Sequence, residues 1–583
     1  MSQIQETKHD PGHVLPTDRE AQKLFHKQTP HGKRIYVYSI VASLLVVGAI
    51  FTANGSNNLL RTAQCRETRQ VTCDGPEDPV MVDPIDPRCA TKPEHPKCQP
   101  FDPVDPDPGD PGDEEPIPPT PPTEASKLLS GTVNDPDGFE VPAGEVWVFD
   151  PTKNTTVEVE ANVVVRGVLE MRPNTGVTHT LRFKNVDTSK FVGGGVELID
   201  DDTGLWVLDN GILDIEGEKK TGWNRTGTDP TWKSSDEIKV APVNVGDYTA
   251  KPFTLGSTVP QLDSSVPKAE VFNLTRSVNI EGTPSGHSHV TLLSSQKQTI
   301  KYAAFRYLGV STTLGRYPIH FHFMGDASRG SLVEGTVVRD SDEHAYVAHA
   351  SHGVTFRDTV AYNVQDSAYW WDPIKGTGSD ANATDDIVYD HALAVQIEKD
   401  ESHPHSLCGF ALVAGKGGAI FDSAAAAVNG QTNAAGYCWP ANDLQVWAFH
   451  DNVAHNNPKN GIFVWHNDTT PHLISDYIAY ANGSAGIDHG AYGNAYSYSD
   501  VYLYKNKVGI ELHSGGKGNP VWACIVEKAS TSGIGLNVLN TNAAEFNPFE
   551  FREASIASSV ANNSNGDKLE DRVVFTNGTC PAN

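Results

Sequence analysis

Nine segments of this chain begin on a small residue or proline, continue with alternating side chains, and recur about every two dozen residues. They are Pro318 in PIHFH, Ala345 in AYVAH, Ala368 in AYWWD, Gly409 in GFALV, Gly436 in GYCWP, Gly461 in GIFVW, Gly486 in GIDHG, Gly509 in GIELH and Gly533 in GIGLN. Their successive spacings are 27, 23, 41, 27, 25, 25, 23 and 24 residues, the long gap holding a charged, histidine-containing insertion at 396–407. A period of this length made of short strands and turns predicts a parallel β-helix, each coil stacking on the last. Propeller blades need a period of roughly 40 residues with four strands, and leucine-rich repeats need a leucine frame that is absent.

Strand alternation assigns the faces. With each anchor as position 0, the +1 column reads Ile319, Tyr346, Tyr369, Phe410, Tyr437, Ile462, Ile487, Ile510 and Ile534. The +3 column reads Phe321, Ala348, Trp371, Leu412, Trp439, Val464, His489, Leu512 and Leu536. Both are apolar apart from His489 and point into the coil, so +2 and +4 point outward.

The outward columns carry the chemistry. Position +4 of three adjacent coils is His322, His349 and Asp372, and +2 of the first is His320. Coils lie ~4.8 Å apart and alternate residues of a strand ~6.7 Å apart, so these four side chains converge on one patch. Arg316, His344 and His352 line its rim. Three readings fit: a divalent metal, zinc or calcium, on His320, His322, His349 and Asp372; a metal-free acid–base cluster tuned by Asp372 and Arg316; or a hydrogen-bonded polar stack. Asp488 and Glu511, at +2 of later coils, with His513 at +4, form a second candidate; two carboxylates about 5 Å apart match a retaining glycosidase pair. Outward Trp370, Phe463 and Trp465 offer flat rings for a sugar face, unless loops cover them.

The rest of the chain suggests how such a coil is displayed. Residues 35–53 carry no charge and are long enough to cross a ~30 Å hydrocarbon core. Six Lys/Arg precede them within residues 1–34, which predicts a cytoplasmic tail, one transmembrane helix and type II topology. Residues 54–125 then read as a stalk, first cysteine-containing and then Pro/Asp-rich. Its segment 74–124 holds 14 acidic and 3 basic residues, and proline with like charges makes an extended spacer. Upstream strands such as VEVEANVVVRGVLEMRP predict a β domain and the start of the coil at 126–285. The β-helix proper is expected at 286–540 and a C-terminal cap at 541–583, since an open coil end exposes core and backbone edges.

The formal charge of −28 argues against nucleic acid as a partner, because phosphate binding needs clustered Lys and Arg. Eight cysteines fit an oxidising exterior: Cys65, Cys73, Cys89 and Cys98 in the stalk, and Cys408, Cys438, Cys524 and Cys580 in the body. Nine N-x-[ST] sequons, among them Asn154, Asn273, Asn467 and Asn577, make the ectodomain a glycoprotein in a host with that machinery.

The runs GRYPIHFHFMGD (315–326) and VVRDSDEHAYVAHASHGVTFRDTVAYNVQDSAYWWD (337–372) resemble the cell-migration-inducing and transmembrane hyaluronidase family. ANVVVRGVLEMRP, GLWVLDNGILDIEG and LTRSVNIEG resemble its eight-glycine domain and the segment after it. The resemblance implies a right-handed parallel β-helix outside the cell that binds or cleaves hyaluronan or a related glycan, with Arg316, His320, His322, His349 and His352 on motif positions. Asp372 stands where the family tends to have a glutamate, and Asp366-Ser367 where it tends to have Gly-His. The expectation is a surface-anchored protein, glycosidase or lyase, that depolymerises an extracellular polysaccharide (or a periplasmic or surface one in a bacterium). A non-catalytic glycan-binding or adhesion module and a structural surface protein are the alternatives.

Overall fold

The computed structural model describes residues 124–194, 197–372, 384–399, 407–412, 417–430, 433–439, 447–464, 472–489 and 496–512, and further short strands as far as residue 576. The tail, the hydrophobic segment 35–53, the stalk and its four cysteines lie outside these residues. Among the described residues no helix is long and apolar enough to cross a membrane.

Strand follows strand in parallel register around three stacks. One stack forms a sheet of 14 parallel strands, from Phe139–Val141 through Leu205–Asp209, Val290–Ser294, Ile319–Gly325 and Tyr346–Ser351 to Val560–Ala561; we call it the site face. The other two stacks are joined in a second large sheet, also parallel. No break separates 126–285 from the later coils: Val290–Ser294 pairs with Leu205–Asp209 on one side and with Ile319–Gly325 on the other. The coil therefore already runs through 126–285, the segment expected to hold a β domain and the start of the coil.

The inward columns are as expected. Ile319, Tyr346, Tyr369, Phe410, Tyr437, Ile462, Ile487 and Ile510 pair in sequence from coil to coil and all lie in the main core cluster. The rings of Tyr346, Tyr369, Phe410 and Tyr437 stack face to face at 4.9, 4.4 and 5.1 Å, an arrangement that adds to simple burial. His489, the polar exception, is buried and bonds through Nδ1 to the Tyr498 hydroxyl at 2.8 Å. The last coil differs from the sequence reading. Ile510 pairs with Leu536 rather than Ile534, so its anchor is Gly535, two residues on, a shift that strand alternation does not detect.

Small anchors have a steric cause. A Cβ on Gly461 would lie 2.6 Å from the Gly486 carbonyl of the next coil. Corners recur as well: Asp358, His391, Asp422, Asp451, Asp476 and Asp500 take left-handed backbone, which short polar side chains tolerate. Inside another corner, buried Asn457, Asn482 and Asn506 form a ladder, each amide donating to the next at 2.9 and 2.8 Å. That satisfies turn backbone that no strand reaches. It also buries the sequon at Asn482, and Asn273 is fully buried too, whereas Asn154 is exposed. Cys408 and Cys438, in adjacent coils, form a disulfide.

The periodicity did not announce an excursion between the coils. Trp223–Asn224, Ile238–Val240, Lys251–Pro252 and Val271–Asn273 make a small antiparallel sheet. Its Trp223, Phe272 and Leu274 pack on the outer side chains of a second stack, including Val337, Val360, Leu393 and Ala424.

Candidate active site

The geometric expectation at the centre of the sequence reading holds at the backbone. His322 pairs with His349, and His349 with Asp372, in consecutive strands of the site face; of Asp372 the backbone alone is described. The imidazoles do converge. Ring centroids lie 4.4 Å apart for His320 and His322, 4.9 Å for His322 and His349, and 5.9 Å for His320 and His349, the last pair nearly parallel.

The patch is not an open surface, however. His320 is fully buried, His322 is 1% exposed, and His349 alone is half-buried. The cover is a pair of loops. Gly194 donates to the Leu314 carbonyl at 3.1 Å, joining the segment around Val192 to the one before Ile319. Gly315 of the latter accepts from His320 Nδ1 at 2.9 Å. A carbonyl only accepts, so that proton sits on Nδ1 and His320 Nε2 carries the lone pair. His322 Nδ1, 3.0 Å from that nitrogen, donates to it. His322 Nε2 is then a buried lone pair with no hydrogen-bond partner among the described residues. Burial first, and then the neighbouring imidazoles, hold His320 well below its ordinary pKa. Burial, then His349 and Arg316, bring His322 down to about 3. Both are neutral at physiological pH, the form that accepts a proton or binds a metal.

Several rim residues have other work. Arg316 was expected on the rim of the patch, but its guanidinium is fully buried, paired with Asp202 at 2.7 Å, donating to the Val192 carbonyl at 2.9 Å and lying 5.0 Å over the Trp206 ring. It anchors the covering loop from 114 residues away in sequence. Arg316→Lys keeps the charge but loses the planar fork, so thermal or denaturant unfolding should show a loss of about 1–3 kcal/mol. His344 is buried, donates from Nδ1 to the Ser367 carbonyl at 3.0 Å and stacks on Trp370 at 4.4 Å. His352, 8% exposed, accepts from the Asp385 amide at 3.0 Å. Neither lies open on a rim. Of the proposed sugar platforms, Phe463 is 3% exposed and belongs to the core cluster, Trp370 is half-buried, and Trp465 lies outside the described residues. Outward positions are buried here because loops and neighbouring coils cover them, the alternative the alternation left open.

The second candidate pair is adjacent as expected, Asp488 facing Glu511 in register. Asp488 is 7% exposed and accepts from the Asn460 amide at 3.0 Å, so it already serves the coil; His513 is outside the described residues.

Two features escaped sequence reasoning. Phe323 follows His322 with a left-handed φ of 50° and is 37% exposed. Its ring meets His322 at 4.6 Å and His349 at 4.7 Å. The register between these strands shifts just past His322, and Ala350, after His349, is also left-handed. Such backbone outliers cluster at functional sites, and the shift carries Phe323 beyond the reach of simple alternation. Buried Glu343, His344 and Asp366 also bring potential ligand atoms within 4.8 Å of one another, on positions that the repeat treats as turns.

Fold and cluster together define a parallel β-helix with a covered imidazole group on one face. Residues 285–372 match the CEMIP beta-helix family, so the segment holding every imidazole of the site is CEMIP-like, as its motifs implied. The human cell surface hyaluronidase CEMIP2 is 23% identical over 23% of this chain and 13% of its own length. Mouse fibrocystin-L is 32% identical over 12% of this chain and 2% of its own. The chain thus matches only a small part of these relatives. Among solved structures, the A-module of the Azotobacter vinelandii mannuronan C-5 epimerase AlgE4 covers 75% of this chain and 89% of its own at 11% identity, with a TM-score of 0.21, too low to bear on fold or function.

Proposed function

We propose that this is a surface-anchored protein that depolymerises an extracellular polysaccharide, hyaluronan-like or related, at the imidazole group of the site face. The observation that carries the reading is the convergence of His320, His322 and His349, with Asp372 in register beside them, inside the CEMIP-like segment. In this reading His349, with neutral His322 behind it, moves the proton at the scissile linkage. Half-exposed His349 and the Phe323 ring face the substrate, and Arg316 with Asp202 holds the loop that keeps bulk water off His320. The name of CEMIP2 supports the substrate class. The uncharged segment 35–53 and the acidic stalk support display from a membrane.

A second reading, a non-catalytic glycan-binding module, draws on the complete burial of His320, which suits an architectural stack. Incubating the full chain in detergent with glycosaminoglycans and with bacterial and algal polysaccharides separates them. New reducing ends or unsaturated uronides with falling chain length support the enzyme. Saturable binding at constant chain length overturns it in favour of the binder, and neither result overturns both.

A further inference from the structure

We propose that His320, His322 and His349 hold one transition-metal ion of the zinc class. The proposal puts an ion where the reading above has free imidazoles, so that His322 and His349 would act on the glycan by holding the metal rather than by carrying the proton themselves; that use rests on the reading above, and the binding itself stands on geometry. One ring nitrogen from each histidine lies within 4.8 Å of the others. His320 is set as a ligand would be, its Nδ1–H held by the Gly315 carbonyl so that Nε2 faces the group; a backbone carbonyl on the far nitrogen is the usual orienting partner of a metal-bound histidine. The 3.0 Å between His320 Nε2 and His322 Nδ1 suits two neighbouring ligands that each stand about 2.0–2.1 Å from one ion.

With His322 Nδ1 turned to the ion, its Nε2 carries the proton, buried and with no hydrogen-bond partner among the described residues. Three imidazoles suit zinc, copper, nickel or cobalt and not calcium, which takes oxygen ligands; of the two metals expected from sequence, the donor set keeps zinc. Three protein ligands also leave a position for water or substrate, and half-buried His349 is where that position meets solvent.

The test uses the full chain in detergent, purified without a polyhistidine tag. Bound metal is measured by mass spectrometry of the elements; the protein is then stripped with chelator and titrated with Co²⁺, whose visible absorption reports its ligands. About one ion per chain is expected, with affinity for Co²⁺ falling about 100-fold in His349→Ala and its absorption band lost in His322→Ala. Circular dichroism checks the fold of each variant. Should His322→Ala fail to fold, His349→Ala, at a half-exposed position, still decides the matter. A folded wild-type chain that takes up less than about a tenth of an equivalent of zinc or cobalt, or a Co²⁺ spectrum and affinity unchanged in His349→Ala, overturns the proposal. Metal bound without glycan shortening overturns the enzyme reading and leaves the metal site standing. Shortening that persists in chelator, with no metal bound, does the reverse.

Discussion

Replacing His322 and His349 together by alanine is expected to slow glycan depolymerisation about 10²–10⁴-fold, the usual share of positioned proton transfer, while the coil stays folded. Both residues lie on the outer side of their strands, and the core cluster includes their neighbours Phe321 and Ala348 but neither histidine. Alanine fits the strand register at both positions, and the inward columns are untouched. His320 loses the bond from His322 Nδ1, a cost of about 1 kcal/mol, small for a coil of this size. Initial rates of reducing-end formation, beside thermal unfolding of the same preparations, separate chemistry from folding. Undiminished rates in the folded double variant remove these histidines from the reaction.

The largest effect on stability is expected elsewhere, at the joint between the small antiparallel sheet and the coil. Glu270, fully buried, pairs with His455 of the coil at 2.7 Å and with Arg225 of its own sheet at 2.9 Å. Glu270→Ala leaves a buried imidazole and a guanidinium without their carboxylate, and breaking a buried pair from one side costs about 3–5 kcal/mol. Wild type should show the same dependence on acid. Burial alone would raise the Glu270 pKa, but His455 and Arg225 outweigh it and bring it to about 2, from an ordinary value of 4.5. A depressed carboxylate contributes fully above the unfolded value, so this stabilisation is present above pH 4.5 and fades as pH falls toward 2. Denaturant unfolding across that range should show the loss, and Glu270→Ala should flatten it.

Period and alternation made the coil legible because both follow from backbone geometry alone. The columns from Ile319 to Ile510, and the row His322, His349, Asp372, are consequences of a strand that alternates and a coil that repeats. The miss in the last coil has the same root. GIGLN offers Gly533 and Gly535 two residues apart, and alternation is blind to a shift of two. What the sequence could not show is the cover. Arg316 and Asp202 meet across 114 residues, and Glu270 and His455 across 185. Neither pair shares a repeat, so no period relates them. Hence Arg316 read as a rim residue and is a loop anchor, and Phe463 read as a platform and is core. Phe323 was missed for the opposite reason: a shift in register and a left-handed residue take it out of the pattern that revealed its neighbours.

An oligosaccharide trapped on the full chain and located by cryo-electron microscopy or crystallography puts the proposed site to its sharpest trial. The expected position has the sugar chain crossing the site face with one ring against Phe323 and a glycosidic oxygen within hydrogen-bond reach of His349. Sugar bound instead near Asp488 and Glu511, or on the far stacks of the coil, contradicts it.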